Sequence, residues 1–225
     1  MTLDPIWESV HSAREWGKYP PEELVRFVAW RYYHRQNRQD VRLLDLGCGL
    51  GSGVWFFSRE GFRVAGIDGA PSAIARLKDR LTREGLTVDL HVGDVVTSLP
   101  VLFPEASFDA VVDITCLCCL PSAEARRTIE QVARVLKPGG RFLSMLFDVT
   151  TWGYGEGREV EPHGFTDVPE GPFKDRGLIR FYAREELEAL FAALPIVGVE
   201  STTRTMDNGR RTVKHWVVEC MKGGG

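Results

Sequence analysis

The residues most able to do chemistry follow short apolar runs. The densest group is Asp45-x-Gly47-x-Gly49-x-Gly51, with Gly53 two residues on. Glycine reaches left-handed backbone and lets a ligand lie against bare main chain. A dinucleotide-binding loop needs G-x-G-x-x-G; counted from Gly47 the third position is Ser52, and counted from Gly49 it is Val54. Three further acids sit at comparable places: Ile67-Asp68-Gly69, Gly93-Asp94-Val95 and Asp113-Ile114-Thr115. Cys116-x-Cys118-Cys119 has the look of a metal motif, but a zinc site normally takes four ligands. The sequence supplies no second pair, so no metal is expected and the cysteines are assigned to the wall of the cleft.

Elements that would position these groups can be read from apolar periodicity. Val41–Leu46, Phe62–Ile67, Thr87–Val92, Phe108–Ile114 and Arg141–Phe147 are apolar enough for strands buried on both faces. Between them lie helical patterns: Val54–Arg59, a helix from Pro71 with Ile74, Leu77 and Leu81 on one face, and one that Ser122 could cap, with Ile129, Val132, Ala133 and Leu136 inward. Lys137-Pro138-Gly139-Gly140 should end that last helix. Leu187, Leu190, Phe191 and Leu194 mark one more. Ile196–Glu200 and Val213–Cys220 are two final strands joined at Asp207-Asn208-Gly209, a tight turn that only antiparallel strands can share. Strands alternating with helices predict an α/β, Rossmann-like three-layer sandwich: a mostly parallel seven-stranded sheet with one antiparallel strand near the C-terminal end. In such sheets ligands bind at the carboxyl ends of the strands, where the order switches, and that is where the glycines and acids fall.

The chain has 225 residues, which suits one domain with an appendage. Residues 1–40 are expected to form a helical cover and 41–225 the main domain, with a lid insertion at about 148–180. A net charge of -3 argues against broad nucleic-acid binding. No apolar run approaches the roughly 18 residues that cross a bilayer. The five cysteines are few and odd in number, which suits reduced thiols and a cytoplasmic protein.

The ordered set of motifs resembles the class I family of S-adenosylmethionine (SAM)-dependent methyltransferases from Val41 to Phe147. The resemblance implies SAM as cofactor and S-adenosylhomocysteine (SAH) as product. It implies that Asp45, Gly47, Cys48, Gly49 and Gly53 hold the amino-acid end, Cys48 through its backbone. Asp68 and Gly69 would then meet the ribose, Asp94 and Val95 the adenine, and Asp113 the reaction centre.

The opposite wall is expected from the two remaining segments. The N-terminal one holds Trp7, Arg14, Trp16 and Tyr19, with Arg14 and Trp16 placed on SAM or substrate. The segment 148–180, long and rich in glycine and proline, reads as a lid. Its Trp152, Tyr154, His163, Phe165 and Phe173, followed by Phe181 and Tyr182, suggest aromatic lining for a small organic acceptor methylated at O or N. If a base is needed, His163, Asp113 and Asp148 are the candidates. The alternatives are a non-catalytic SAM-binding regulator, an RNA or protein methyltransferase, whose Asn-Pro-Pro-Tyr-type tetrapeptide is absent, and a nicotinamide enzyme, against which Ser52 and Val54 count.

Overall fold

A computed structural model describes residues 5–13 and 17–224. The central sheet contains Arg42–Leu46 (β1), Arg63–Asp68 (β2), Asp89–Val92 (β3), Phe108–Ile114 (β4) and Leu136–Phe147 (β5). Three short strands intervene, Arg158–Glu161 (β6), Gly164–Thr166 (β7) and Ile179–Arg180 (β8), before Ile196–Met206 (β9) and Arg211–Met221 (β10) complete it. The order is β3-β2-β1-β4-β5-β10-β9. Strands β1 to β5 pair in parallel, and β10 runs antiparallel to both β5 and β9. This is the expected sheet. Its order reverses direction between β1 and β4, which opens a crevice beyond their carboxyl ends.

The helices are Ile6–Ala13 (α1), Glu22–Tyr32 (α2), Ser52–Arg59 (α3), Pro71–Arg83 (α4), Leu99–Leu102 (α5), Ser122–Val135 (α6) and Leu187–Leu190 (α7). Proline at the start of α4 has no amide to satisfy, and Ile74, Leu77 and Leu81 are buried as the spacing requires. Each such aliphatic side chain contributes roughly 2 kcal/mol by leaving water. Two cores result, one on each face of the sheet. Leu24, Phe27, Val54, Phe57 and Leu77 fill one; Phe103, Phe108, Ile129, Phe142 and Phe191 fill the other.

Several local expectations are corrected. Ser122 is not the cap of α6; Pro121 holds that place, and the Ser122 amide donates to Glu161 (3.0 and 3.2 Å to the two carboxylate oxygens). Lys137-Pro138-Gly139-Gly140 belongs to β5, where the pairing with β4 shifts register near Phe108. The expected last helix shrinks to the single turn α7, although all four of its apolar residues are buried. The segment 148–180 is not an unstructured loop but carries the antiparallel sheet β6-β7-β8. Phe165, Val168, Phe173, Ile179 and Phe181 form a third, separate core there. Among the described residues no helix is long and apolar enough to cross a membrane.

Candidate functional site

A cleft of about 350 Å³ opens at the switch point between β1 and β4, within the range of small-ligand sites. One wall is the glycine loop, from Gly47 to Gly53, with Asp45, Asp68, Gly69, Asp94 and Val95. The facing wall is built from Trp7, His11, Gly17 and Tyr19. The turn Ile114–Cys116, with Cys119 and Leu120, forms the end beyond β4, and Arg176 enters from the 148–180 segment.

The loop is shaped by close approach. Gly47 has φ +64, and a Cβ there would overlap the Cys116 side chain. Gly53 lies so near β1 that its Cβ would fall 2.5 Å from Asp45 Oδ2. That proximity lets the Val54 amide, in the first turn of α3, donate to the same oxygen at 3.1 Å. Arg80 donates to Gly51 O at 2.8 Å and fixes the outer side of the loop. Burial pushes the Asp45 carboxyl up to about 7, against the Val54 hydrogen bond, which lowers it. The nearby carboxylates of Asp68 and Asp113 add to the rise.

Asp68, at the end of β2, accepts the Gly49 amide on Oδ2 and the Ala70 amide on Oδ1, both at 2.8 Å. Each oxygen keeps a second lone pair, so the residue ties two loops together while still facing the cleft. Asp94, after β3, accepts the Val96 amide at 2.8 Å and is half-buried. The three acids therefore converge from three consecutive strand ends.

The expected bases do not line the cleft. Asp113 is fully buried behind it: Oδ1 accepts the amides of Cys116 (2.7 Å) and Leu117 (3.1 Å), and Oδ2 accepts the Ser144 hydroxyl (2.6 Å). Burial lifts its carboxyl to about 7 even so. Its geometry is that of a brace for the turn that carries Cys116 and Cys119, because both oxygens are committed. His163 lies on the β6–β7 turn with φ +63, where its Nδ1 meets the Tyr154 hydroxyl at 2.7 Å and its Nε2 lies 3.8 Å from Glu186. Asp148 accepts from the Thr150 amide and pairs with Lys214 at 3.3 Å, away from the cleft.

The lid aromatics are likewise corrected. Phe165, Phe173 and Phe181 pack on one another and on Phe147 and Tyr154 at 4.7–6.2 Å between ring centres. They are buried in their own core instead of lining the acceptor space. Trp152 stacks beneath Arg211, and Tyr182 reaches Leu117 O. Cys116 and Cys119 face the cleft as expected, whereas Cys118 points into the core and accepts the Phe147 amide. Burial raises the Cys48, Cys116 and Cys118 thiols well above their ordinary value. Among the described residues no three His, Cys, Asp or Glu side chains are grouped to hold a metal.

Arg14 and Trp16 lie outside the described residues. Trp7 and Tyr19 do reach the cleft, and two further residues escaped the sequence-based expectation. His11 stands one helical turn after Trp7, with ring centres 5.7 Å apart, and would lie 3.1 Å from a Cβ on Gly49. The i, i+4 spacing of Trp7 and His11 was the available signal. Arg176 had no signal beyond lying in the lid. Helix α1 is held down by Glu8, which accepts the Ser72 amide at 3.1 Å, and by Arg76, which donates to His11 O at 2.5 Å. Burial lowers the His11 pKa, opposed by Asp68 and Glu8.

A sheet of this order, with a glycine loop after β1 and acids after β2 and β3, defines the Rossmann-like class I methyltransferase fold. Residues 43–140, fewer than half of the chain, match the family described as a methyltransferase domain. The demethylmenaquinone methyltransferase of Tropheryma whipplei is 36% identical over 102 residues, 45% of this chain and 39% of that protein. The fatty-acid O-methyltransferase of Mycolicibacterium smegmatis is 33% identical over 141 residues, 58% of this chain and 48% of that protein. The chain thus spans less than half the length of these curated relatives. The tRNA N(3)-methylcytidine methyltransferase trm141 of Schizosaccharomyces pombe is 23% identical over 218 residues, 90% of this chain and 87% of that protein. A SAM-dependent methyltransferase structure from Methanosarcina mazei superposes with a TM-score of 0.70 at 22% identity, covering 83% of this chain and 94% of that one.

Proposed function

We propose that this chain transfers the methyl group of SAM to an oxygen or nitrogen of a small-molecule acceptor. The observation that carries this reading is the division of one cleft into an acid-lined half and a half walled by Trp7, Ile114, Cys116, Cys119 and Leu120. The cleft's features fit SAM. Gly47 and Gly49 let Cys116 and His11 close against bare main chain at the edge of the cleft, and the carboxylates of Asp45, Asp68 and Asp94 along it suit an ammonium, ribose hydroxyls and an adenine amino group. SAM supplies a methyl already activated on a sulfonium. The loop orients it, Asp45, Asp68 and Asp94 bind its polar groups, and α1 excludes water.

The apolar half, the net charge of -3 and the relatives named for menaquinone and fatty-acid methylation support a small acceptor over RNA. The tRNA enzyme, aligned over most of the chain, makes RNA the outcome to exclude. Cysteines that are few and odd in number fit a cytoplasmic setting. Calorimetry should show binding of SAM and SAH but not of NAD. Radiolabelled SAM offered to metabolite fractions and to RNA should label metabolites. Label found only in RNA overturns the acceptor class; SAH binding with no turnover on either pool leaves a SAM-binding regulator.

A further inference from the structure

Arg176 is delivered to the cleft by a turn with left-handed backbone on both sides, Asp175 at φ +60 and Gly177 at φ +69. An L-residue such as Asp175 adopts that conformation at a cost, and such backbone gathers where a side chain must be aimed. Phe173 and Ile179, just outside the turn, are buried in the lid core, so both ends are anchored. The lid is itself fastened to the main domain. Arg180, 5% exposed, pairs with Glu161 (3.2 Å) and Glu186 (2.7 Å), and Glu161 also receives the first amide of α6.

Half-buried, Arg176 thus brings a fixed positive charge to a cleft whose other formal charges, among the described lining residues, are the carboxylates of Asp45, Asp68 and Asp94. Those three belong to the cofactor half. None of Asp113, Asp148 and His163 reaches the cleft, and an acceptor that arrives already ionised needs no proton removed.

From these features, and resting on the methyltransferase reading above, we propose that the acceptor is an organic carboxylate with an apolar body, its anionic group held by Arg176 and one of its oxygens methylated to an ester. Guanidinium and carboxylate match in a two-pronged, charge-assisted pair. In the step, a carboxylate oxygen forms a bond to the methyl carbon as the carbon–sulfur bond breaks and its electron pair stays on sulfur. The carboxylate loses its negative charge, the sulfonium becomes a neutral thioether, and no proton moves. The ester has no charge left for Arg176, which favours product release.

The test uses the full chain with decanoate and benzoate against decanol, decanamide and decylamine, reading methylated product by mass spectrometry and SAH affinity by calorimetry. Methyl esters should form from the carboxylates and not from the neutral or amine analogues. Arg176→Ala should raise KM for the carboxylate at least tenfold while leaving the SAH Kd within twofold, and Arg176→Lys should fall between. The proposal is overturned if neither carboxylate is turned over or bound by the SAH complex, if decanol or decylamine is preferred, or if Arg176→Ala leaves KM unchanged. A tenfold loss of SAH affinity in Arg176→Ala would also overturn it, by assigning the arginine to the cofactor. Failure of the wild-type chain to bind SAH defeats the methyltransferase reading itself, and is read separately from all of these.

Discussion

Asp45 sits where a carboxylate is costly to ionise and useful once ionised. Its carboxyl is pushed to about 7 by burial, whereas an unfolded carboxyl titrates near 3.9. Between those values the folded chain holds the extra proton, so this group makes the ligand-free protein less stable as pH rises from about 4 to 7. A bound ammonium favours the ionised form, so SAH affinity should climb as pH rises through about 7 and level off above it. Calorimetry from pH 5.5 to 8.5 should show this, with proton release on binding, and Asp45→Asn should flatten the profile. Gly47 presents a steric counterpart. Gly47→Ala should cost about 2 kcal/mol of folding stability through left-handed backbone alone, and more through the overlap with Cys116. Cys116→Ala should recover part of that loss in the double variant, which denaturant melts would measure. Glycines and aspartates at these places were legible in the sequence because their types are dictated by backbone. Arg176 was not, because nothing in the type or spacing of a lone arginine reports what lies across a cleft, and His11 was marked only by its spacing from Trp7.

At the scale of elements, the strands and the helices α3, α4 and α6 followed from apolar periodicity, since each has one or two faces that must leave water. The lid did not. Its aromatics were expected to line the acceptor space, yet composition cannot say whether Phe165, Phe173 and Phe181 turn toward a ligand or toward one another, and they turn toward one another. Asp113 misled for a related reason: the end of a strand is as good a place for a brace as for a base. The ion pairs of Arg180 make a test of how the lid is held. Arg180→Ala leaves Glu161 and Glu186, each about a quarter exposed, without their partner, at a cost of about 2 kcal/mol. Hydrogen exchange should show faster exchange in β6, β7 and β8 with little change in β1 to β4. Uniform acceleration throughout the chain would mean that the lid and the main sheet open as one unit.

On the scale of the whole molecule, ligand binding should couple to global stability. SAH at a hundredfold excess over its Kd should add about 2.7 kcal/mol. For a chain of this size that raises Tm by roughly 5–10 °C, and NAD at the same concentration should leave Tm in place. The order of the sheet was expected from alternating segments and one tight turn, and the long hairpin of β9 and β10 at Asp207-Asn208-Gly209 agrees with it. What the sequence left open was which segments supply the wall facing the loop. That wall draws on three stretches far apart in the chain: α1 with Tyr19, the turn after β4, and Arg176.

The third core has a consequence for descent. Phe165, Phe173 and Phe181 satisfy one another and lean on the central sheet through Phe147, so the 148–180 segment is a cassette with its own core, seated on a cofactor-binding chassis. A lineage could exchange that cassette, and with it the residue aimed into the cleft, without retuning the glycine loop. Variation in acceptor and constancy in cofactor would then be inherited through different parts of the same chain.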